Sequence, residues 1–345
     1  MAQEVTRNTV FVAGGQPSIT YVEREELEIE GHLARAVALP NQVVSLSGPT
    51  KCGKTVLCRR VLAQSQYIWI EGGQVATADD IWEKICYELN FPDEISITEG
   101  TQAKAEFGSK FIVSASGSHL ASSQKAKKYK IDSMASAIRS LRENEIILVI
   151  DDFHYLPPDS RTEFLRNVKG PVFNGLGIIL LSVTHRQFDA IKAESELIGR
   201  FTSVTVPEWD LSDLKKIAEK GFSALNINAP GNIVDKLADE SQNSPFLMQK
   251  LCWEICYGLG VDKPPMKPVA VSEQYDLATM YTRIAKDFGI PIFEKLEVGP
   301  QSRKLRLKRP LVWGGDADIY QAILIAIAQT GPTSSLSYDE LRRYA

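Results

Sequence analysis

Cysteine is scarce: five residues in 345, an odd number, and none in a Cys-x-x-Cys spacing. Thiols scattered over a chain this long exclude a disulfide framework, disfavour a zinc site, and point to a reducing, cytoplasmic compartment. Cys252 and Cys256 stand four apart on a predicted helix, but no histidine lies near them, so they read as core thiols rather than ligands. Long apolar runs are missing too. No window holds about 18 uninterrupted apolar residues, and the N-terminus, MAQEVTRNTV, lacks the apolar core of a secretory signal, so neither a membrane span nor an export leader is expected. Neither sign of charge dominates, with 39 Lys and Arg against 43 Asp and Glu and a formal net charge of −4. That excludes a surface that binds nucleic acid all over, but not a local basic patch. There is no internal repeat. What is present is an ordinary globular composition, 44% hydrophobic and 24% charged, with length for two or three packed units.

The periodicity gives the organisation. Residues 1–30 lead in, with a turn at Gly14-Gly15 and an acidic helix start around Glu23–Glu28, and a helix through His32–Ala38 ends at Pro40. NQVVSLS (41–47) reads as a buried strand, followed by a helix from about Lys54 to Gln64, the strand YIWIE (67–71) and the amphipathic helix ADDIWEKICYEL (78–89), with Ile81, Ile85 and Leu89 on one side. After a helix at about Ser133–Arg142 comes EIILVIDD (145–152), whose five consecutive apolar residues suit a central strand of a parallel sheet. A helix near Arg161–Val168 leads to the strand GIILLSVTHR (177–186), and SVTVPEW (203–209) is the last strand. Strands alternating with helices predict an α/β sandwich on a parallel sheet. Residues 100–130, rich in Ser, Ala, Gly and Lys and ending in QKAKKYK, read as a surface insertion or loop, its lysines either solvated or in contact with DNA.

From Asp210 the pattern is helical: LSDLKKIAEKGF, NIVDKLADES and SPFLMQKLCWEICYGL, the third opened by Ser244 as N-cap and Pro245 in the first turn. The expected division is a core over 1–209, a small helical domain over 210–262, and, through the Pro-rich VDKPPMKP, a C-terminal unit over 263–345. In that unit DADIYQAILIAIAQTGP predicts a helix capped by Asp316 and stopped at Gly331, and SYDEL has capping-box spacing from Ser337 to Glu340. The unit breaks off soon afterwards and reads as incomplete.

The chemistry is concentrated in SLSGPTKCGKTVL (45–57). Gly48, Pro49, Thr50, Lys51, Cys52, Gly53, Lys54 and Thr55, followed by Val56, fit GxxxxGK[ST] at every fixed position, after a predicted strand and at the start of a predicted helix. Glycines let backbone N–H groups turn toward an anion, and the helix N-terminus adds its dipole. Lys54 then supplies a cation to the β- and γ-phosphates, and the Thr55 hydroxyl a ligand to Mg²⁺. IILVIDD places a second set of groups at a strand end: Asp151 beside the metal, and Asp152 either orienting the attacking water or capping the following turn. His154 reads as a solvated loop histidine, and Trp69, Trp82 and Trp253 as core.

With these motifs, and YIWIE lying between them, the chain resembles the AAA+ and STAND groups of P-loop ATPases, closest to origin-recognition-like and archaeal-type members, over roughly residues 18–260. The resemblance implies a P-loop NTPase sheet with a helical lid, ATP with Mg²⁺, and further site residues. TYVER (20–24) resembles the segment that packs near adenine, which makes Tyr21, Val22 and Arg24 candidates. SVTHR resembles the strand end that senses the γ-phosphate, with Thr184 and Arg186 as candidates. ELIGRF (196–201) resembles the segment bearing an arginine finger, which gives Arg200 a neighbouring subunit's nucleotide to reach, and NSPFL (243–247) the lid motif whose proline, here Pro245, approaches the base. Bland readings stand beside these, with Arg200 in a surface ion pair and Arg186 as a strand cap. The chain departs from the family in two places. Asp152 stands where many members have Glu, and the third helix offers only Gln249 and Lys250 where many have Arg, both of which suggest slow turnover.

QSRKLRLKR (301–309) holds five basic residues, Arg303, Lys304, Arg306, Lys308 and Arg309, beside helices that resemble the start of a winged-helix unit. They suit either DNA phosphates or a protein-docking surface. The resulting expectation is an ATP-hydrolysing, homo-oligomeric switch that controls a separate effector protein or a DNA complex, in a setting such as prokaryotic antiviral defence. The alternatives are a DNA-remodelling or loading ATPase and a non-catalytic nucleotide-binding scaffold.

Overall fold

A computed structural model of the chain describes residues 4–91, 94–98, 113–114, 126–183, 199–299, 306–311, 314–330 and 336–344. The chain forms two compact units, Met1–Glu273 and Gln274–Ala345. Among the described residues no helix is long and apolar enough to cross a membrane.

The first unit is organised by a parallel sheet of β1 (Val43–Gly48), β2 (Tyr67–Glu71), β3 (Ile147–Asp151), β4 (Ile178–Val183) and β5 (Phe201–Thr205), in the order β2-β3-β4-β1-β5. Alternation along each strand splits the core in two. Ile68, Ile70, Leu148, Ile150, Ile178 and Leu180 face helices α3 (Ala78–Glu88), α4 (Ser133–Glu143) and α5 (Pro158–Phe173). Val44, Leu46, Val149, Ile179 and Leu181 face α1 (Ile29–Ala38) and α2 (Lys54–Val61). Because both faces are covered, the central strands can be apolar at every position, and each buried Val, Ile or Leu contributes about 1.5–3 kcal/mol. Helix starts follow the sequence signals: Thr77 and Asp80 form a capping box on α3, and Asp132 caps α4.

After the sheet come α6 (Leu211–Ala224), capped by Asp210; α7 (Gly231–Glu240); and α8 (Pro245–Gly258), capped by Ser244. Cys252 and Cys256 are both fully buried on α8, as core thiols. The N-terminal segment, which opens with a short helix at Arg7–Val10, packs on these helices. In the second unit are α9 (Leu277–Val298), an antiparallel strand pair (Arg309–Pro310 with Asp316–Ala317), α10 (Ile319–Thr330) and α11 (Tyr338–Tyr344).

The structure corrects several expectations. The end of the segment 100–130 is not a loop: Ala126–Ile131 is a strand, paired antiparallel with Glu94–Thr98 and Val113–Ser114, because backbone pairing with an Ile-containing partner outweighs the modest β-propensity of lysine. α5 is twice the predicted length, since Pro171 lies near its end and ends it only two residues later. The last strand begins at Phe201, two residues early, and stops before Pro207, which has no N–H to continue the ladder. The 22-residue α9 has no clear mark in the sequence, because Gly289 and Pro291 interrupt its pattern. α10 is capped by Asp318, which accepts from the N–H groups of Tyr320 (2.9 Å) and Gln321 (3.0 Å), while Asp316 lies in the strand pair. The Ser337–Glu340 capping box forms as predicted.

Candidate functional site

A cavity of about 940 Å³ opens at the C-terminal edge of the sheet, where β1 lies between β4 and β5. In open parallel sheets this edge is where ligands bind. β1 runs into the phosphate loop at Gly48. A Cβ there would overlap the Val206 carbonyl oxygen at 2.7 Å and the Cys52 sulfur at 2.9 Å, so the loop can leave the strand this closely only from glycine. Gly53, at φ +97°, turns the chain into α2.

The side chains that follow converge. The Lys54 ammonium, 8% exposed, donates to the carbonyl oxygens of Gly48 (3.0 Å) and Pro49 (2.8 Å). It is therefore held over the loop by weak neutral acceptors that anionic oxygens would displace. The Thr55 hydroxyl donates to Asp151 Oδ2 at 2.8 Å, bridging the loop to the end of β3. Burial, with Asp152 and Glu71 nearby, raises the Asp151 pKa against the lowering effect of the Thr55 bond. One hydroxyl and one desolvated carboxylate side by side form a hard-oxygen pair suited to Mg²⁺. Thr50, Lys51, Cys52, Gly53 and Val56 also line the cavity.

Asp152 takes a left-handed turn at φ +51°, and its side chain caps nothing; its backbone carbonyl instead accepts from the N–H of Tyr155 (2.8 Å). The backbone lies so close to Gly72 that a Cβ on that residue would meet the Asp152 oxygen at 2.5 Å. His154 is not solvated: its side chain is 12% exposed, against the Tyr155 ring at 4.4 Å, with Nδ1 4.0 Å from Asp152 Oδ1. Trp82 is core, whereas Trp69 and Trp253 are only half-buried.

The opposite wall comes from the N-terminal segment and α8. Tyr21, Val22, Arg24 and Pro245 all line the cavity. The Tyr21 hydroxyl donates to Glu30 Oε1 (2.5 Å) beneath the Arg60 guanidinium, and burial together with Glu30 pushes its pKa well above the ordinary tyrosine value. Arg24 is a fastener: it donates to the carbonyls of Pro207 and Glu208 (3.1 Å each) and lies over the Trp209 ring at 4.7 Å, while Trp209 donates to the Cys52 carbonyl at 2.9 Å. Burial lowers its pKa.

Arg200 lies elsewhere. Its neighbour Phe201 pairs with Val43, the first residue of β1, so Arg200 sits at the sheet edge opposite the phosphate loop, roughly 17 Å away along the strand, with its guanidinium over Phe173 at 4.7 Å. Thr184, Arg186, Arg303 and Lys304 lie outside the described residues. In the second unit Arg306 stacks on Tyr320 (4.3 Å) and pairs with Asp318 (3.6 Å), and Lys308 and Arg309 are exposed.

Sequence reasoning missed two participants. Glu71 ends β2 in register with Asp151 and accepts from the Trp69 indole at 3.0 Å; the signal was available, since YIWIE ends in an acid as IILVID does. Lys51 and Phe246 meet at 3.9 Å and join the phosphate loop to α8, a contact no spacing could reveal.

Comparison with known proteins agrees with this geometry. Residues 39–188 match the model of a family described as an AAA domain. The fold is similar to that of a Walker-type ATPase of Pyrococcus abyssi (TM-score 0.54, 17% identity, 79% of this chain and 75% of that one). It is also similar to Cdc6p from Pyrobaculum aerophilum (TM-score 0.50, 13% identity, 73% of this chain and 66% of that one). No curated protein sequence matched. The chain has the α/β P-loop NTPase fold with a central parallel sheet.

Proposed function

We propose that the chain is an Mg²⁺-dependent ATPase of slow turnover that works as an oligomerising switch. The observation that carries the reading is the junction of Lys54, Thr55 and Asp151: a buried cation over a glycine-rich loop, and a hydroxyl–carboxylate pair beside it. Lys54 binds the β- and γ-phosphates, and Thr55 and Asp151 hold the metal. Bound Mg²⁺ supplies neutralisation of phosphate charge. Asp152, its carboxylate not used as a cap, orients the attacking water or takes its proton. Tyr21, Val22 and Pro245 face the adenosine, and α6–α8 act as a lid. Thr184 and Arg186 report the γ-phosphate. The division into core (1–209), lid (210–262) and winged-helix-like C-terminal unit (263–345) follows from this reading.

Arg200 is too far from its own phosphate loop to serve it, and its half-buried place on Phe173 suits a reach to a neighbouring subunit's nucleotide. The C-terminal unit, with Lys308 and Arg309 exposed beyond the engaged Arg306, passes the state of the assembly to an effector protein or to DNA, in a setting such as antiviral defence.

Mass photometry in the absence of nucleotide and with ADP, ATP and a slowly hydrolysed analogue tests the switch. Assembly is expected only with an intact γ-phosphate, and is expected to vanish in Lys54→Ala and Arg200→Ala. Identical masses in all conditions would sink it. Nucleotide binding without turnover, and no change on Asp152→Asn, would leave a scaffold in its place.

A further inference from the structure

Between its first helix and Tyr21 the N-terminal segment runs as an irregular strap along the cavity, and Val12, Gly14, Gly15 and Pro17 give that wall flat apolar and backbone surface. Such surface suits a heteroaromatic base, whereas the Lys54 ammonium, the Thr55 hydroxyl and the Asp151 carboxylate lie together at the phosphate loop. The flanks of the strap are anchored outside the cavity. Arg7 lies over both the Trp253 ring (4.8 Å) and the Tyr257 ring (5.1 Å), and Phe11 packs edge-on against Phe222 (5.4 Å) over Gly221. Residues 12–20 are closed by a single side chain from α8. Gln249 Oε1 accepts from the Val12 N–H at 3.0 Å, and its Nε2 donates to the Thr20 hydroxyl at 2.7 Å. The Thr20 hydroxyl itself lies 2.6 Å from the Val10 carbonyl. Gln249 is 4% exposed and Thr20 1%. The Gln249–Thr20 pair is thus buried and Val12 half-buried, and removing the amide takes the acceptor from the Val12 N–H and the donor from the Thr20 hydroxyl.

We propose that Gln249 is the positioning residue that shapes the base-side wall, so that affinity for the nucleoside part of a nucleoside diphosphate depends on α8 while affinity for its phosphates does not. The inference rests on the nucleotide-binding reading above. α8 is suited to this because one turn earlier its Phe246 touches both the strap, where a Cβ on Gly14 would lie 3.4 Å from the ring, and Lys51 of the phosphate loop. Gln249 locks the strap to that same helix, so the wall and α8 move as one piece.

The test compares Mg–ADP with Mg–tripolyphosphate, which has no base, by calorimetric titration of the full chain. Wild type, Gln249→Leu and Thr20→Val are measured well below their melting temperatures. Both variants are expected to weaken ADP roughly tenfold, about 1.4 kcal/mol, as the wall loses the shape that faces the base, and to leave tripolyphosphate within about twofold of wild type. An unchanged ADP affinity, or equal loss of both ligands, overturns the proposal, since a merely structural role lowers both together. If Gln249→Leu fails to fold, Thr20→Val, which keeps the glutamine in place, decides alone. A wild type that binds neither ligand overturns the nucleotide reading and this inference with it; a wild type that binds both, with ADP affinity unmoved in the variants, overturns only the role of Gln249.

Discussion

Asp151 is a carboxylate kept where its charge is disfavoured. Burial and the nearby Asp152 and Glu71 raise its pKa above the ordinary carboxylate value. The folded chain therefore holds that proton more tightly than the unfolded one, and stability falls as pH rises from the ordinary carboxylate range through the folded value. The penalty grows as pH rises above the ordinary carboxylate range. Asp151→Asn is thus expected to melt higher than wild type at pH 7 without Mg²⁺, by roughly 2–4 °C for each kcal/mol relieved, with the gap closing as pH approaches 4 and Mg²⁺-dependent hydrolysis lost. Scanning calorimetry across pH checks the sign, and a variant that melts lower at every pH would refute it. Gly72 is a second residue-scale constraint. Gly72→Ala must push back the Asp152 carbonyl, so ATP hydrolysis is expected to drop at least tenfold while nucleotide affinity, which the proposed function assigns to Lys54, changes little. Steady-state turnover measured beside binding separates the two. At this scale Lys54, Thr55 and Asp151 could be read from the sequence, because each is tied to a local pattern of strand, loop and helix. Glu71 left a trace there, as an acid closing a strand like Asp151, whereas the tie from Gln249 to Thr20 and Val12 did not, because no local pattern marks it and only folding brings those residues together.

Among the elements, the N-terminal strap and α8 carry the least predictable geometry. Phe11, 2% exposed against Phe222 and Gly221, is the strap's main anchor. Phe11→Ala should cost about 3–5 kcal/mol of stability, the usual range for a truncated core aromatic, read as a shift in the urea midpoint at constant slope. A loss below about 1 kcal/mol would mean that the strap closes over the site without help from that ring. The sheet elements were legible because their periodicity is strong and their ends are marked by Gly, Pro and capping residues. α9 and the strand at Ala126–Ile131 were not: Pro291 inside the one and lysines in the other made local preference point away from the structure that pairing and packing selected.

For the whole molecule, the division after Glu273 separates a first unit, with both sheet cores and the α6–α8 helices, from a smaller one. Each buried cluster on the sheet is complete within the first unit, so residues 1–273 should fold alone, melt cooperatively and retain nucleotide affinity. Circular dichroism melting and nucleotide titration of that fragment provide the check, and a broad, non-cooperative melt would contradict it.

The sequence by itself determined that a parallel α/β sheet carries a phosphate-binding loop, since GxxxxGK[ST] and the apolar run before Asp151 encode chain geometry over a few residues. Tertiary structure alone decided the rest. It set the strand order that places β1 between β4 and β5, and so puts Asp151 within 2.8 Å of Thr55 from 96 residues away. It placed Arg200 at the far edge of the sheet and closed the strap through one glutamine. The physical reason is common to all three. They are contacts between segments far apart in the chain, chosen by burial and hydrogen-bond satisfaction over the whole core, which no local pattern encodes.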